Sequence, residues 1–205
     1  MEDKYWDKFW RFNGGFFYEL GNWFYWNFFY SKLLGGNFRE NSAVLELGGG
    51  AGTVSLRLAE KYGAKVTIVD FSNECRKMAT EHFRRAGKSL DFRCEDILKF
   101  KANRKFDLVH SEGVVEHFFG SNRVDVIKKH LESMKKDGKT IIIAPAKNFL
   151  HPIRLFILHL IEPRLREEPF SLGEFRKIVS KIPGYRITGE IKTILDVAVG
   201  IERNL

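Results

Sequence analysis

The sequence predicts an α/β protein in which helices cover both faces of a mostly parallel, seven-stranded sheet. After about Asn41, short β-rich runs alternate with helical patterns of ten or more residues, which is typical of right-handed βαβ crossovers. The run "IIIA" is apolar at successive positions, as expected for a strand covered on both faces. The last two predicted strands are separated by a short turn, which indicates an antiparallel hairpin.

The first half of the body predicts three strands and two helices. "AVLEL" is the first strand, and a glycine turn leads from it into a helical pattern. "AKVTIVD" is the second strand. "NECRKMATEHFRRAG" is a helix that Ser72 or Asn73 can cap and that Gly87 closes, because these residue types favour helix ends. "LDFRC" is the third strand.

The second half predicts four more strands. "KFDLVHS" is the fourth, a helix follows over about Arg123 to Lys136, and "GKTIIIAP" is the fifth. A helix near Ser171 to Lys181 precedes "YRITGEI" and "ILDVAVGI", the sixth and seventh strands. These seven strands and their helices make up one domain, residues 41–205, which is an ordinary domain size.

Residues 1–40 lie outside this alternation and form a predicted N-terminal extension rich in aromatic residues. All four tryptophans fall within the first 26 positions. Tyr5, Trp6, Phe9 and Trp10 have helical spacing, and so many aromatic residues must be buried on several sides. We predict that this segment forms a lid and a wall over an active site. Packing against the sheet, a dimer contact and a membrane-surface contact remain alternatives.

Residues 146–170 are the second segment outside the alternation, and we predict that they cover a substrate. Pro152 can start a helix. The apolar residues Ile153, Phe156, Ile157 and Leu160 then form a stripe along it, as helical periodicity requires.

Composition restricts the partners and the setting. The formal net charge is +8, but the basic residues are scattered among acids, so a nucleic-acid partner is left open without being favoured. The two cysteines form no disulfide framework and no metal-binding spacing, which predicts a cytoplasmic protein without a metal site. The first residues include acids, unlike a secretory signal. The uncharged run at residues 20–31 is shorter than the roughly 20 residues of a membrane span.

The stretch "VLELGGGAGTVS" carries the most informative chemistry. Glycine allows a ligand to approach the backbone, and a helix N-terminus offers unpaired N–H groups. A dinucleotide fingerprint would require a glycine at Thr53, and a P-loop would require a lysine after the glycines. Instead, Glu46 precedes Gly48, Gly50 and Gly52. An acid at this position suits a ligand that carries an ammonium or sulfonium group.

These motifs resemble the class I S-adenosylmethionine-dependent methyltransferases over roughly residues 42–200. The resemblance implies a Rossmann-like, doubly wound fold with S-adenosylmethionine as the cofactor and S-adenosylhomocysteine as the product. Glu46 and the three glycines match the motif around the methionine part of the cofactor. Asp70 ends the second strand and matches the acid that accepts hydrogen bonds from both ribose hydroxyls.

The same resemblance implies further cofactor contacts. In "CEDILKF", Asp96 would meet the adenine amino group and Ile97 would pack on the ring, with Phe71 and Glu95 close by. In "FDLVHSEGVVEHF", the resemblance implies positions beside the cofactor for Ser111 and Glu112.

His117 follows the fourth strand near the expected methyl acceptor and is the candidate general base, since histidine is the commonest residue in that role. A structural role in packing or hydrogen bonding is the alternative.

The two apolar segments favour a small apolar or amphipathic methyl acceptor. An RNA or protein methyltransferase is the first alternative, although the Asp/Asn-Pro-Pro-Tyr/Phe signature of enzymes that methylate base amines is missing. A non-catalytic cofactor-binding domain is the second, and a nicotinamide enzyme ranks last because the glycine spacing differs. A homodimer is left open.

Overall fold

The computed structural model describes residues 23–35, 38–161 and 163–204 of the chain. Seven strands form one sheet in the order β3-β2-β1-β4-β5-β7-β6. β7 runs antiparallel to both of its neighbours, whereas β1 to β5 pair in parallel. The predicted fold class and the C-terminal hairpin are therefore confirmed. The strands are β1 Ala43–Leu47, β2 Lys65–Val69, β3 Leu90–Arg93, β4 Phe106–Glu112, β5 Met134–Pro145, β6 Tyr185–Lys192 and β7 Asp196–Arg203.

Helices cover both faces of this sheet. α1 and α2 share one buried cluster with the aromatic residues that precede β1, and α3 and α5 share the cluster on the opposite face. A single 3₁₀ turn, Val115–His117, follows β4. The helices are α1 Thr53–Tyr62, α2 Asn73–Arg85, α3 Ser121–Ser133, α4 His151–Ile161 and α5 Leu172–Val179.

The strand order reverses between β1 and β4, and this reversal positions the candidate site. β1 pairs with β2 on one side and with β4 on the other. The helix after β1 lies on one face and the helix after β4 on the other. The connections therefore diverge at the carboxyl ends of β1 and β4, which leaves the crevice where open α/β sheets bind ligands.

Local signals set several helix boundaries. The hydroxyl of Ser72 accepts a hydrogen bond from the backbone N–H of Cys75 at 3.2 Å, which confirms one of the two predicted caps of α2. Ser171 accepts from the N–H of Glu174, whose carboxylate accepts in return from the N–H of Ser171. This reciprocal pair is a capping box, and it fixes the start of α5.

The helix after β4 ends earlier than its sequence pattern predicts. The helix predicted over about Arg123 to Lys136 is present, but its predicted end is three residues too late, because α3 ends at Ser133 and β5 begins at Met134. Met134 is fully buried and pairs with Phe106. Burial of the Met134 side chain in the sheet therefore overrides the helix propensity of methionine and lysine.

The aromatic residues before β1 form a helix, hereafter the aromatic helix, which comprises the helical residues 23–33. Its central part, Trp26–Tyr30, is π-helical, a conformation often found at functional sites. Trp26, Phe29 and Tyr30 are buried against the sheet, whereas Trp23 and Phe28 are exposed. Packing against the sheet, one of the alternatives predicted for the N-terminal segment, therefore accounts for the burial of these three aromatic side chains. The predicted lid residues Tyr5, Trp6, Phe9 and Trp10 lie outside the described residues.

α4 is the helix predicted after Pro152, but its apolar stripe does not face the site. Ile153, Phe156, Ile157 and Leu160 are between 54% and 71% exposed. Arg154 and Leu158, on the opposite side of the helix, line a cavity instead. Among the described residues, none of the helices combines the length and apolar character that crossing a bilayer requires.

Candidate active site

The turn from β1 to α1 depends on glycine, since Gly48, Gly50 and Gly52 all have positive φ angles. Gly48 and Gly52 have φ angles of 70° and 68°, in the left-handed region that residues with a Cβ rarely adopt. A Cβ on Gly48 would lie 2.5 Å from Cγ2 of Val114, and one on Gly52 would lie 2.6 Å from Cδ1 of Ile68. The backbone therefore packs closely on its neighbours here and keeps the space above the strand ends open.

A cavity of about 230 Å³ opens beside this turn, at the carboxyl ends of β1 and β4. Its walls come from five parts of the chain: the aromatic helix, the glycine turn with the end of β1, the end of β4 with the segment that follows it, α4, and the segment after α4. They contribute, in that order, Tyr25; Glu46 with Gly48–Gly50; Glu112, Gly113, Glu116 and His117; Arg154 and Leu158; and Leu165 and Glu167. Of the residues predicted from the sequence, Glu46, Gly48, Gly50, Glu112 and His117 meet here.

A buried hydrogen-bonded chain supports the floor of the cavity. The hydroxyl of Tyr30 lies 2.7 Å from Nδ1 of His110, and Nε2 of His110 lies 3.1 Å from Oγ of Ser55. Burial lowers the pKa of His110 to about 3, so the ring is neutral. One of its nitrogens donates and the other accepts, which holds β4, α1 and the aromatic helix in one arrangement.

Two carboxyl groups flank His110. Glu46 and Glu112 approach its Nδ1 at 4.0 and 3.9 Å. Burial is the main cause that raises the pKa of Glu46, and the nearby charge of Glu112 adds to it. Burial, with a contribution from Asp196, likewise raises the pKa of Glu112 to about 7. Oε2 of Glu46 and Oε1 of Glu112 are buried without a hydrogen-bond partner among the described residues.

Asp70 lies against the glycine turn, as its sequence position predicts. Its Oδ2 accepts a hydrogen bond from the N–H of Gly50 at 3.1 Å, and its Oδ1 accepts from the N–H of Ser72 at 2.9 Å. Asp70 therefore orders the glycine turn through both of its carboxylate oxygens.

The loop after β3 brings one of its predicted residues to the turn. Ile97 is buried, and its Cδ1 lies 3.5 Å from the Cβ position of Gly48. Asp96 and Glu95 are exposed, and Oδ1 of Asp96 accepts from the N–H of Leu98 at 2.9 Å. The carbonyl of Phe71 accepts from the thiol of Cys94 at 3.2 Å. Phe71, Glu95 and Asp96 therefore do not line the cavity.

Ser111 is not placed at the cavity. It is fully buried, and its Oγ lies 2.8 Å from Nε2 of His130 on α3. Side chains alternate along a strand, so Ser111 faces α3 while His110 and Glu112 face the cavity side. The alternation of side chains along a strand predicts that Ser111 faces away from His110 and Glu112. It does not indicate which face of the strand meets the ligand.

A second acidic group lies across the cavity from the glycine turn, and its members were not predicted from sequence. Glu116 and Glu167 are almost completely buried. Oε2 of each is buried and lacks a hydrogen-bond partner among the described residues. Burial is the main cause that raises the pKa of Glu116 to about 8, and the charges of Glu167 and Asp196 contribute to this shift. Arg154 is the nearby cation, 3.7 Å from Oε1 of Glu167.

His117 joins the two segments that carry these acids. Its Nδ1 donates to the carbonyl oxygen of Arg166 at 2.9 Å. The N–H of Glu168 donates to the carbonyl oxygen of Glu116 at 2.9 Å. Burial is the main cause that lowers the pKa of His117, and its hydrogen bonds to backbone oppose that shift. The ring is therefore placed to hold Glu116 and Glu167 side by side.

Two triads within the described residues bring possible metal-ligand atoms within 4.8 Å of one another: Glu46, His110 and Glu112, and Glu116, His117 and Glu167. In the first triad, both nitrogens of His110 lie within hydrogen-bonding distance of Tyr30 and Ser55, so the ring has no nitrogen left for a metal. In the second triad, Nε2 of His117 and Oε1 of Glu116 are 4.0 Å apart.

Comparison with known proteins agrees with this geometry. Residues 44–138 match the family model described as a methyltransferase domain. The magnesium protoporphyrin IX methyltransferase from Synechocystis PCC 6803, solved with bound S-adenosylhomocysteine, superposes with a TM-score of 0.66 at 20% identity. The superposition covers 82% of this chain and 77% of that one. The likeness to that structure shows the fold.

Two sequence relatives match about half of the chain. The phosphoethanolamine N-methyltransferase of Plasmodium falciparum is 32% identical over 50% of this chain and 39% of its own length. The ubiquinone biosynthesis O-methyltransferase of Coxiella burnetii is 32% identical over 52% of this chain and 44% of its own length. The match therefore spans less than half the length of either relative.

Proposed function

We propose that the chain is a class I S-adenosylmethionine-dependent methyltransferase that transfers a methyl group from S-adenosylmethionine to a small amphipathic acceptor. The match of residues 44–138 to the methyltransferase-domain model supports this proposal. The observation that carries the proposal is the cradle between Glu46 and Asp70. There, backbone at positive φ leaves open space beside a buried carboxylate oxygen that lacks a hydrogen-bond partner.

The residues of this cradle fit the cofactor's chemistry. Burying a carboxylate without a partner is costly, and an ammonium group beside Oε2 of Glu46 would remove that cost. Asp70, which the N–H groups of Gly50 and Ser72 hold against the glycine turn, would accept hydrogen bonds from the ribose hydroxyls. Ile97, buried next to Gly48, would pack on the adenine ring.

The cofactor supplies a methyl group on a positively charged sulfur, so the chain itself has to align an acceptor and exclude water. Tyr25, Leu158 and Leu165 give the cavity an apolar side, and the acids of the segments after β4 and α4 give it a polar side. This two-sided lining supports an amphipathic acceptor. Tyr25 in this lining is also an aromatic residue, a type that attracts cations.

His117 takes a positioning role in this proposal. Its Nδ1 is used in the hydrogen bond to Arg166, which favours structural work over proton removal. The general-base role stays a prediction. The variant His117→Asn distinguishes the two roles. A positioning role predicts that the segment around Glu167 becomes less ordered. A general-base role predicts that kcat no longer falls as the pH is lowered.

Thermal melting with S-adenosylhomocysteine, S-adenosylmethionine and NAD tests the cofactor assignment. A ligand at about 100 times its Kd stabilises by roughly 2.7 kcal/mol, which raises the melting temperature by several degrees at about 2–4 °C per kcal/mol. We expect a rise with both adenosyl ligands and none with NAD. Equal melting with and without the adenosyl ligands at millimolar concentration would refute the proposal.

A further inference from the structure

The part of the cavity where the methyl acceptor would bind is rich in carboxyl groups. Glu112, Glu116 and Glu167 line it, and Asp196 lies close enough that its charge acts on Glu112 and Glu116. Arg154 is the one cation of the cavity lining in the described part of the chain. Four carboxyl groups thus share one guanidinium.

The fold holds these acids together against their repulsion. Two hydrogen bonds join the segment of Glu116 to that of Glu167. The second segment is itself anchored, because Arg123 donates to the carbonyl oxygens of Glu168 and Pro169, both at 2.9 Å. Its guanidinium also lies 3.5 Å from the centre of the Phe170 ring. The carboxyl groups therefore cannot move apart freely.

Two buried oxygen atoms, Oε2 of Glu116 and Oε2 of Glu167, point to a ligand that donates hydrogen bonds. Both atoms are buried and lack partners among the described residues, and each belongs to a residue that lines the cavity. Buried polar groups are normally hydrogen-bonded. Nη1 of Arg154, which also lines the cavity, is buried and unpaired among the described residues as well. One guanidinium therefore leaves both acceptors unsatisfied, and a second cation that carries several N–H groups would satisfy them.

Resting on the methyltransferase function proposed above, we propose that Glu116 and Glu167 bind the protonated amine of the methyl acceptor, and that this nitrogen is the atom methylated. The nearby aromatic and aliphatic side chains of Tyr25, Leu158 and Leu165 suit an organic cation, which can use cation–π attraction. They are poor neighbours for a hydrated divalent metal, which prefers oxygen ligands and water.

The step balances with the groups at hand. The ammonium gives one proton to the carboxylate of Glu116, and the neutral nitrogen then forms a bond to the methyl carbon. The carbon–sulfur bond breaks, and its electron pair stays on sulfur. The product is a protonated N-methylamine, whose charge replaces that of the sulfonium. Burial raises the pKa of Glu116, which makes its carboxylate a stronger proton acceptor than an exposed one.

Calorimetry on protein saturated with S-adenosylhomocysteine tests this inference with two matched pairs of probes. Ethanolamine is compared with ethylene glycol, and phenethylamine with 2-phenylethanol. We expect at least one amine to bind about tenfold more tightly than its alcohol. Glu116→Gln and Glu167→Gln, which keep shape and remove charge, should each abolish that preference. The control Glu132→Gln, at an exposed position on α3, should retain it.

The outcomes separate this inference from the methyltransferase function. Binding of S-adenosylhomocysteine without any amine preference would overturn the inference alone, as would a preference that survives both cavity substitutions. Binding of Mg²⁺ that both substitutions abolish, with no amine preference, would reassign the acids to a metal. Failure to bind S-adenosylhomocysteine would overturn the proposed function and this inference with it.

Discussion

Tyr30 and His110 form a buried hydrogen bond of 2.7 Å between the aromatic helix and β4. The bond spans two elements that are 80 residues apart in the sequence. It places a neutral imidazole between Glu46 and Glu112. The aromatic helix is therefore tied to the floor of the candidate site by a specific polar contact as well as by apolar packing.

Tyr30→Phe should destabilise the protein although the aromatic ring is kept. The substitution leaves Nδ1 of His110 buried without its partner, which costs about 1–3 kcal/mol. The melting temperature should fall by about 2–4 °C for each kcal/mol. Tyr62→Phe, at a half-buried position of the same cluster, is the control and should melt like the parent. Equal melting of the two variants would contradict a structural role for the hydrogen bond.

Gly48→Ala should impair the site more than Gly87→Ala. Both glycines have similar φ angles, 70° and 64°, so each substitution costs about 1–2 kcal/mol of backbone strain. A Cβ at Gly87 meets nothing within 4 Å, whereas one at Gly48 meets Val114. We expect Gly48→Ala to lower the melting temperature further and to weaken S-adenosylhomocysteine binding at least tenfold. Similar affinities in the two variants would remove Gly48 from the site.

Asp70→Asn should weaken S-adenosylhomocysteine binding about tenfold or more. The amide loses the charge and half of the acceptor capacity that the ribose hydroxyls would use. Titration calorimetry measures the change, with Asp125→Asn, at an exposed position on α3, as the control. An unchanged affinity would exclude Asp70 from ribose binding.

Stability should fall with rising pH because of Glu116. Its pKa is raised from 4.5 to about 8 in the folded protein, so the folded state binds more protons than the unfolded state between these values. The contribution to stability is fully present below pH 4.5 and is lost as pH rises to about 8, by at most about 1.4 kcal/mol per pH unit. Burial is the main cause of this raised pKa; the charges of Glu167 and Asp196 add to it, and that of Arg154 opposes it.

Glu116→Gln removes that titration. Between pH 5.5 and 8, its melting temperature should decline less steeply than that of the parent, and above pH 8 the variant should be the more stable protein. Glu132→Gln should follow the parent. Parallel curves for the parent and Glu116→Gln would show that Glu116 titrates normally.

Local sequence patterns predicted the sheet and the glycine turn well. The βα alternation depends on periodicity, and the caps depend on single residues such as Ser72, whose hydroxyl accepts the expected bond. Glu46 and Asp70 follow neighbouring parallel strands, and the carboxyl ends of such strands meet at one edge. These features are encoded within short stretches, so they can be read from one sequence.

The acidic pair could not be read in this way. Glu116 and Glu167 come together because two irregular segments about 50 residues apart join through backbone and His117 hydrogen bonds. The stripe of α4 misled for a related reason. An apolar stripe predicts which residues share a face of a helix, but not whether that face meets the protein or the solvent.

The position of β7 in the sheet has a consequence for how the chain assembles. β7 fills the gap between β5 and β6, and its residues come some 50 positions after β5. Until it arrives, β5 keeps an unpaired edge of the kind that invites pairing with other chains, and long-range closure of this sort is slow. Asp196, the first residue of β7, enters the structure in the same event. A nascent or misfolded chain that stalls before this event would be prone to aggregate and would lack one of the acids beside the cavity.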